Sequence, residues 1–445
     1  AQAERLKTQA LLAHAASLLS PQLPSAAMHG SVCLRATRAV RSAGSTSLGA
    51  GSSSRAGVTL KPGVRPLSFG RSLSSSAAAS SSASSPLSSS SSAASSSSLW
   101  PLDLDLGRFP PIQCSIGYGS GVFRQLGFCE AKRPMVDLIF VVRSSEVADW
   151  HAENLKLHKD HYSGFMRSLG PGAIAQVQSW GPGLYYNPNV QLATNYGGFL
   201  EAKYGVISED ALLQDLRSWD SMYVAGRMHK PCIVDFYGSD ASLHDTIRAA
   251  ADTNRQSALA AALLECMWKV PEERPVDLFS LLSALAQLSY GGDVRVGIAE
   301  NPNKVSNIVR AQAAELCEIY VPIASELGVA IDRSATDSVL DSLAFWLSEL
   351  WQHSSALEER TVLFDRGAAG REQLFRHLPE ALQGRLEAAS KGRGKPPWED
   401  PELFQSTLGA IVRRSSLVQS TKGVLTAGPA CGARYLLEKV RKRLS

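Results

Sequence analysis

The segment Met135-Val136-Asp137-Leu138-Ile139-Phe140-Val141-Val142 is apolar on both faces of an extended chain. A strand of that kind sits in the middle of a sheet with cover on both sides, which places the fold in the α/β class. The one exception within the run is Asp137. A carboxylate inside a central strand is costly to bury unless a cation or donor meets it. Mg²⁺ bridging the oxygens of a triphosphate would do so. The other reading is a strand-end Asp turned to solvent.

The neighbouring sequence supplies partners for that strand. Ile112 to Ile116 is a short strand running into the turn Gly117-Tyr118-Gly119-Ser120-Gly121. Glu146 to Leu169 reads as one helix, ended by Gly170-Pro171-Gly172. Gly183 to Pro188 and Phe199 to Ile207 read as strands, and Ser208 caps a helix that begins with Glu209 and Asp210. Pro231 to Tyr237 is another strand. From Ser242 the texture turns helical, with helices expected over 242–269, 275–288 and 304–327. Residues 241–325 suit a compact helical, winged-helix-like domain. Residues 326–400 read as a variable helical region, and Pro396-Pro397 precedes a last ordered stretch, 401–445.

Residues 1–99 are of another kind. Glu4 is the single acid of the first hundred residues against nine bases, and Ser and Ala dominate the rest, so the segment cannot bury enough apolar surface to order itself. An Arg-rich, Ser-rich, acid-poor segment has the character of an organelle transit peptide and linker; a plain disordered tail is the alternative. Composition does not separate mitochondrion from plastid. The net charge of +4 is too small to argue for nucleic acid. Seven cysteines without a C-x-x-C pair read as scattered thiols. No window is apolar for the roughly 18 to 20 residues that cross a bilayer, so membrane contact would be peripheral.

Gly119-Ser120-Gly121 lies at a strand-to-helix turn, where small residues let backbone N–H groups and the Ser hydroxyl approach a phosphate. It is not a Walker loop, a dinucleotide fingerprint or a nucleophile elbow, and a plain turn is the alternative. With Asp137 it resembles the nucleotidyltransferase superfamily, in which a Gly-Ser turn cradles a triphosphate and a strand carboxylate holds metal. That superfamily usually carries a second acid two residues on; here the position is Ile139.

Longer blocks are more specific. Tyr118 to Phe123, Trp150-His151, Asn154-Leu155, His161-Tyr162-Ser163 and Gly183 to Pro188 resemble the mitochondrial phosphatidate cytidylyltransferases, also called translocator assembly and maintenance proteins. So do Lys203 to Ile207, Tyr223 to Arg227, Lys230-Pro231, Leu288-Ser289-Tyr290, Gly292-Asp293, Ile411-Val412-Arg413, Ser415-Ser416, Gln419 to Gly423 and Thr426-Ala427-Gly428. The resemblance covers about 115–310 and 404–430. It implies a nucleotidyltransferase-like mixed sheet domain over 100–240 and a Mg²⁺-dependent transfer of CMP from CTP to phosphatidic acid. It also implies a peripheral place on the matrix side of the inner mitochondrial membrane, feeding cardiolipin synthesis.

The resemblance also suggests roles. Gly119, Ser120, Gly121, Tyr204 and Arg227 would bind the nucleotide, Asp137 the metal, and Lys203 would neutralise phosphate charge. Lys230, Arg413, Ser415, Ser416, Ser420 and Lys422 would form phosphate- or lipid-binding positions. For Lys203 a solvated strand lysine, for Arg227 and Lys230 surface charge, and for the last strip a polar loop are the plainer readings. Asp215 and Asp235 are unranked candidates for a second carboxylate. His151, His158 and His161 are expected on one helix face as polar packing near the nucleotide, zinc being the less favoured use. The basic segment Tyr435 to Leu444 would attract anionic lipid. A homo-oligomer is compatible with all of this. Two other readings stay open: an RNA nucleotidyltransferase, and a non-catalytic assembly factor for the inner-membrane protein translocase.

Overall fold

A computed structural model describes residues 104–123, 134–294, 303–331 and 356–427. The N-terminal hundred residues and the basic segment Tyr435 to Leu444 lie outside the described residues. Five strands form a sheet in the order β3-β4-β2-β1-β5: β1 (Cys114–Tyr118), β2 (Val136–Val142), β3 (Leu184–Ala193), β4 (Phe199–Ser208) and β5 (Cys232–Phe236). β2 is central, and its pairing with β4 is parallel while the other pairings are antiparallel, so the sheet is mixed.

Both faces of β2 are covered, as its composition requires. On one face Val136, Leu138, Phe140 and Val142 pack with Trp150, Val190, Ala202, Tyr204 and Val206. Trp150 comes from α1 (Val147–Leu157). On the other face Ile139 and Val141 join Ile116, Tyr118, Tyr186 and Ile207, and this cluster continues without interruption into the helical part through Leu259, Leu285, Leu316, Phe375 and Phe404. Asp137 lies on that second face, because side chains alternate along a strand.

The helix expected over 146–169 is instead α1, a 3₁₀ turn over Lys159–His161, and α2 (Gly164–Leu169), followed by α3 (Pro171–Ser179). Tertiary hydrogen bonds overrule local propensity here. His158 Nε2 is 2.9 Å from the Arg108 carbonyl, His161 Nδ1 is 3.0 Å from the Tyr204 hydroxyl, and the Ser163 side chain caps α2. The three histidines therefore do not share one helix face. His151 is fully buried between the Tyr162 hydroxyl and Gln178 Oε1, and burial lowers it to about 4, which keeps it neutral.

Ser208 does cap α4 (Glu209–Ser218), accepting from the Ala211 N–H. A four-residue helix α5 (Ala225–Met228) precedes β5, and Asp240 caps the long α6 (Ala241–Lys269). The chain then forms β6 (Val276–Asp277), α7 (Leu278–Gln287), α8 (Lys304–Ala311), α9 (Ala313–Glu326) and β7 (Ala330–Ile331). After residue 355 come α10 (Ala356–Glu359), β8 (Thr361–Leu363), α11 (Ala368–Arg376), α12 (Glu380–Ser390) and α13 (Pro401–Ala427). Asp277 caps α7. The single helix expected over 304–327 is interrupted at Gln312, whose φ of −121° leaves the helical region. β6, β8 and β7 pair into a small antiparallel sheet that takes strands from both sides of residue 325. Among the described residues no helix is long and apolar enough to cross a membrane, and Cys114, Cys232, Cys266 and Cys317 are free thiols.

Candidate active site

The turn after β1 is pressed onto the start of β2. The Gly119 carbonyl accepts from the N–H groups of Val122 at 3.1 Å and Phe123 at 2.9 Å. Gly119 has a φ of +75°, and a Cβ there would stand 3.4 Å from Asp137 Oδ2. A Cβ on Gly121 would fall 2.3 Å from the Met135 carbonyl oxygen and 2.6 Å from the Val136 Cα. Two glycines are thus needed for different reasons, one for backbone conformation and one for close approach. Ser120 stands between them, half-buried.

Strand register builds the rest. Tyr118 is opposite Asp137 on β1, and Asp137 is beside Lys203 on β4. Lys203 Nζ lies 3.4 Å from Asp137 Oδ1 and 4.1 Å from the centre of the Tyr186 ring. The Tyr186 and Tyr118 hydroxyls are 2.9 Å apart. β3 slips register between Asn187 and Val190, across from Lys203 on β4, as bulges often do beside functional sites. Burial works against the Lys203 charge. The Asp137 carboxylate and then the Tyr186 and Tyr223 phenols outweigh it and hold the ammonium above its ordinary value.

A second cationic layer comes from α5. The Arg227 guanidinium stacks 3.8 Å from the Tyr223 ring and 5.4 Å from that of Tyr118, and donates to the Tyr223 carbonyl. Its Nε is buried and unpaired among the described residues. Lys230 Nζ donates to the Gly226 carbonyl at 2.5 Å and the Ser289 hydroxyl at 2.7 Å, and the centre of the Tyr290 ring is 5.1 Å from Lys230 Nζ and 5.3 Å from Lys304 Nζ. Burial first, then Arg227 and Lys304, push Lys230 down to about 7. One carboxylate among several cations and neutral phenols is an arrangement that attracts a polyanion and can hold a divalent metal beside it.

Several expected site residues are placed elsewhere. Tyr204 points to the opposite face of the sheet. It is fully buried against Phe140, and its hydroxyl accepts from Asn154 Nδ2 at 2.9 Å and meets His161, so it is committed to the core. Asp215 accepts from the N–H groups of Ser221, Val224 and Ala225 and from the Ser221 hydroxyl, which uses up its oxygens in holding the chain before α5. Asp235 pairs in register with Ser115, on the Phe140 face and away from Asp137. The strip over 413–422 is neither loop nor open cradle, because it belongs to α13. There Ser415, Ser416 and Ser420 bond carbonyls one turn back, Ser416 also accepts from the Val294 N–H, and Arg413 is exposed. Lys422 is buried and donates to the carbonyls of Gln178 at 3.1 Å and Trp180 at 2.8 Å.

Lys422 makes stability depend on pH. Burial pushes its ammonium down to about 7, against about 10.4 in an unfolded chain. Above about pH 7 the unfolded chain therefore holds the extra proton, and stability rises with pH. The thiols of Cys114, Cys266 and Cys317, raised to about 12 mainly by burial, oppose this only above about pH 8.5. Urea unfolding at steps between about pH 7 and 8.5 should show the rise, and Lys422→Met should flatten it in part, Lys230 supplying the remainder with the same sign. An unchanged slope in Lys422→Met would show that Lys422 is not a buried, depressed base.

The phenols of Tyr118, Tyr186 and Tyr223, with Ser289, Tyr290 and Lys304, were not assigned roles from sequence. Most of their contacts join segments distant in sequence, which spacing does not reveal: Tyr118 meets Arg227, Tyr186 meets Lys203 and Tyr290 meets Lys230 and Lys304 by cation–π stacking, and Ser289 accepts from Lys230.

Residues 105–442 match the family described as "Phosphatidate cytidylyltransferase, mitochondrial". Proteins of that name are similar over most of their length. The human protein is 34% identical over 350 residues, 75% of this chain and 68% of the relative. The fission yeast protein, from Schizosaccharomyces pombe, is 39% identical over 358 residues, 75% and 81%. The Drosophila melanogaster protein is 33% identical over 362 residues, 76% and 96%.

Proposed function

The chain belongs to the mitochondrial phosphatidate cytidylyltransferase family, and from that footing we propose that it transfers CMP from CTP to phosphatidic acid, giving CDP-diacylglycerol and pyrophosphate. The observation that carries the proposal is one cluster on one sheet face: the Gly119–Gly121 turn, Asp137 and Lys203, with Arg227 behind them. Phosphatidate supplies an oxygen of its own phosphate as nucleophile. A new bond forms from that oxygen to the α-phosphorus of CTP, and the bond from the α-phosphorus to the bridging oxygen breaks, its electrons leaving with pyrophosphate. The nucleophile is already anionic, so no strong base is required, and the work is positioning and charge neutralisation.

The residues present suit Mg²⁺. Asp137 offers hard carboxylate oxygens, one facing Lys203 and one facing Gly119 where no Cβ intrudes. No group of three or more His, Cys, Asp or Glu that could hold a metal occurs among the described residues, so phosphate oxygens and water would fill the other positions. When bound, the ion would draw charge from the triphosphate. Lys203 would hold a non-bridging oxygen near Asp137, the N–H groups of the Gly119–Gly121 turn would orient the triphosphate, and Arg227 and Lys230 would neutralise what remains. CDP-diacylglycerol made at the matrix face of the inner membrane, with the protein bound peripherally, would serve cardiolipin synthesis.

The test uses the full chain with labelled CTP, Mg²⁺ and phosphatidic acid in mixed micelles. Label should enter the lipid fraction and stop doing so on chelation with EDTA, returning with Mg²⁺. A folded protein that labels no lipid with any divalent metal would overturn the proposal and leave the assembly-factor reading in its place.

A further inference from the structure

The hairpin joining β3 to β4 reaches beyond the rest of the sheet, and its tip has an unusual surface. From Leu184 to Leu200 there is no charged side chain. Tyr196 is 92% exposed and Phe199 67%, the two most exposed large apolar side chains among the described residues. The tip holds this shape by its own bonds. Thr194 N–H donates to the Gly198 carbonyl at 3.2 Å, Gly197 N–H to the Thr194 carbonyl at 3.1 Å, and the Thr194 hydroxyl to the Gly197 carbonyl at 2.7 Å. Gly197 and Gly198 take φ values of +85° and +94° that exclude most side chains. A water-facing turn gains nothing from displaying two aromatic rings on so ordered a frame, whereas an aromatic ring with one polar edge is suited to a membrane–water boundary.

The hairpin is also in line with the site. Phe199, Glu201 and Lys203 alternate onto one face of β4, so Phe199 stands about 13 Å along the strand from Lys203, at about 3.3 Å per residue. Apolar groups at an interface sink roughly 5–10 Å into the boundary between headgroups and acyl chains. With Phe199 at that depth and β4 upright, Lys203 stands roughly 3–8 Å further out, within reach of lipid phosphates, which are anionic. We propose that the β3–β4 hairpin tip, through Tyr196 and Phe199, is the element that seats the protein on a phospholipid bilayer and brings the headgroup of the lipid substrate to Lys203. The proposal rests on the phosphatidate reading for the substrate but not for the docking itself.

The experiment uses the double variant Tyr196→Ser/Phe199→Ser in the full chain. Three quantities are measured: co-sedimentation with phosphatidylcholine vesicles containing phosphatidic acid, CMP transfer to that vesicle phosphatidate, and CMP transfer to a short-chain phosphatidate below its micellar concentration. Bound fraction and vesicle activity should fall together, by about tenfold or more, since two rings no longer leave water. Activity on the soluble substrate should be unchanged. Tyr196→Trp should keep full activity, and its emission should shift to the blue on vesicles. Unchanged sedimentation and vesicle activity in the double variant would overturn the proposal. So would an equal loss on the soluble substrate, which would make the hairpin part of the fold. A change of assembly size by light scattering with normal vesicle binding would do the same, and would make the tip a contact between copies. If the unmodified protein transfers CMP to neither substrate yet loses vesicle binding on substitution, the substrate reading fails and the docking surface stands.

Discussion

Replacing Asp137 by Asn should lower CMP transfer by about a thousandfold or more while leaving the fold intact. Asn keeps the size and one acceptor oxygen, so β2 still fits between β1 and β4. What is lost is the negative charge that Lys203 meets at 3.4 Å and that a divalent ion would need. The side chain is partly exposed, so the pair adds little to stability, on the order of 1 kcal/mol. Rate and fold should therefore separate. Circular dichroism and the thermal midpoint should be close to the parent's, and the transfer rate near background at any Mg²⁺ concentration. Retention of a tenth of the activity would remove Asp137 from the centre of the chemistry.

Gly121→Ala should cost both stability and activity, by about 3 kcal/mol or more of unfolding free energy. The added methyl would meet the Met135 carbonyl oxygen at 2.3 Å and the Val136 Cα at 2.6 Å. Both are backbone atoms of the strand that carries Asp137, so neither can rotate away. Either the turn or the start of β2 must move, and the geometry between Gly119 and Asp137 moves with it. Gly119→Ala is the control. Its Cβ would meet only ordinary contact at 3.4 Å, so it should pay chiefly for a φ of +75°, about 1 kcal/mol. Urea unfolding of the two variants side by side decides the matter, and a Gly121→Ala as stable as Gly119→Ala would refute the close-approach argument.

How legible was this arrangement in the sequence? The central strand was, because an apolar run on both faces has few other places to go; that its neighbours are β1 and β4 was not. The Ser208 cap and the glycine turn were equally local and equally visible. The kinked region around His158 was not, since hydrogen bonds to Arg108 and Tyr204, distant in sequence, decide where that helix stops. Tyr204 shows the cost of reading a strand as a list. It adjoins Lys203 in sequence, and for that reason alone points to the other face. The strip ending in Lys422 carried phosphate-binding residue types, but the helix that bears them turns Lys422 toward backbone carbonyls. Residue chemistry was readable there and direction was not.

The unbroken apolar cluster running from Ile116 and Ile139 in the sheet to Phe375 and Phe404 in the helices has a consequence for how such a protein can change. The surface that holds Asp137 and Lys203 on one side is the same surface that roofs the helical interior. A sheet of this kind cannot be lifted out and joined to a new neighbour, because its working face would be bared to water along with the site. Parts the shared interior does not own, such as the tip of the β3–β4 hairpin, can take insertions and substitutions that leave that interior untouched.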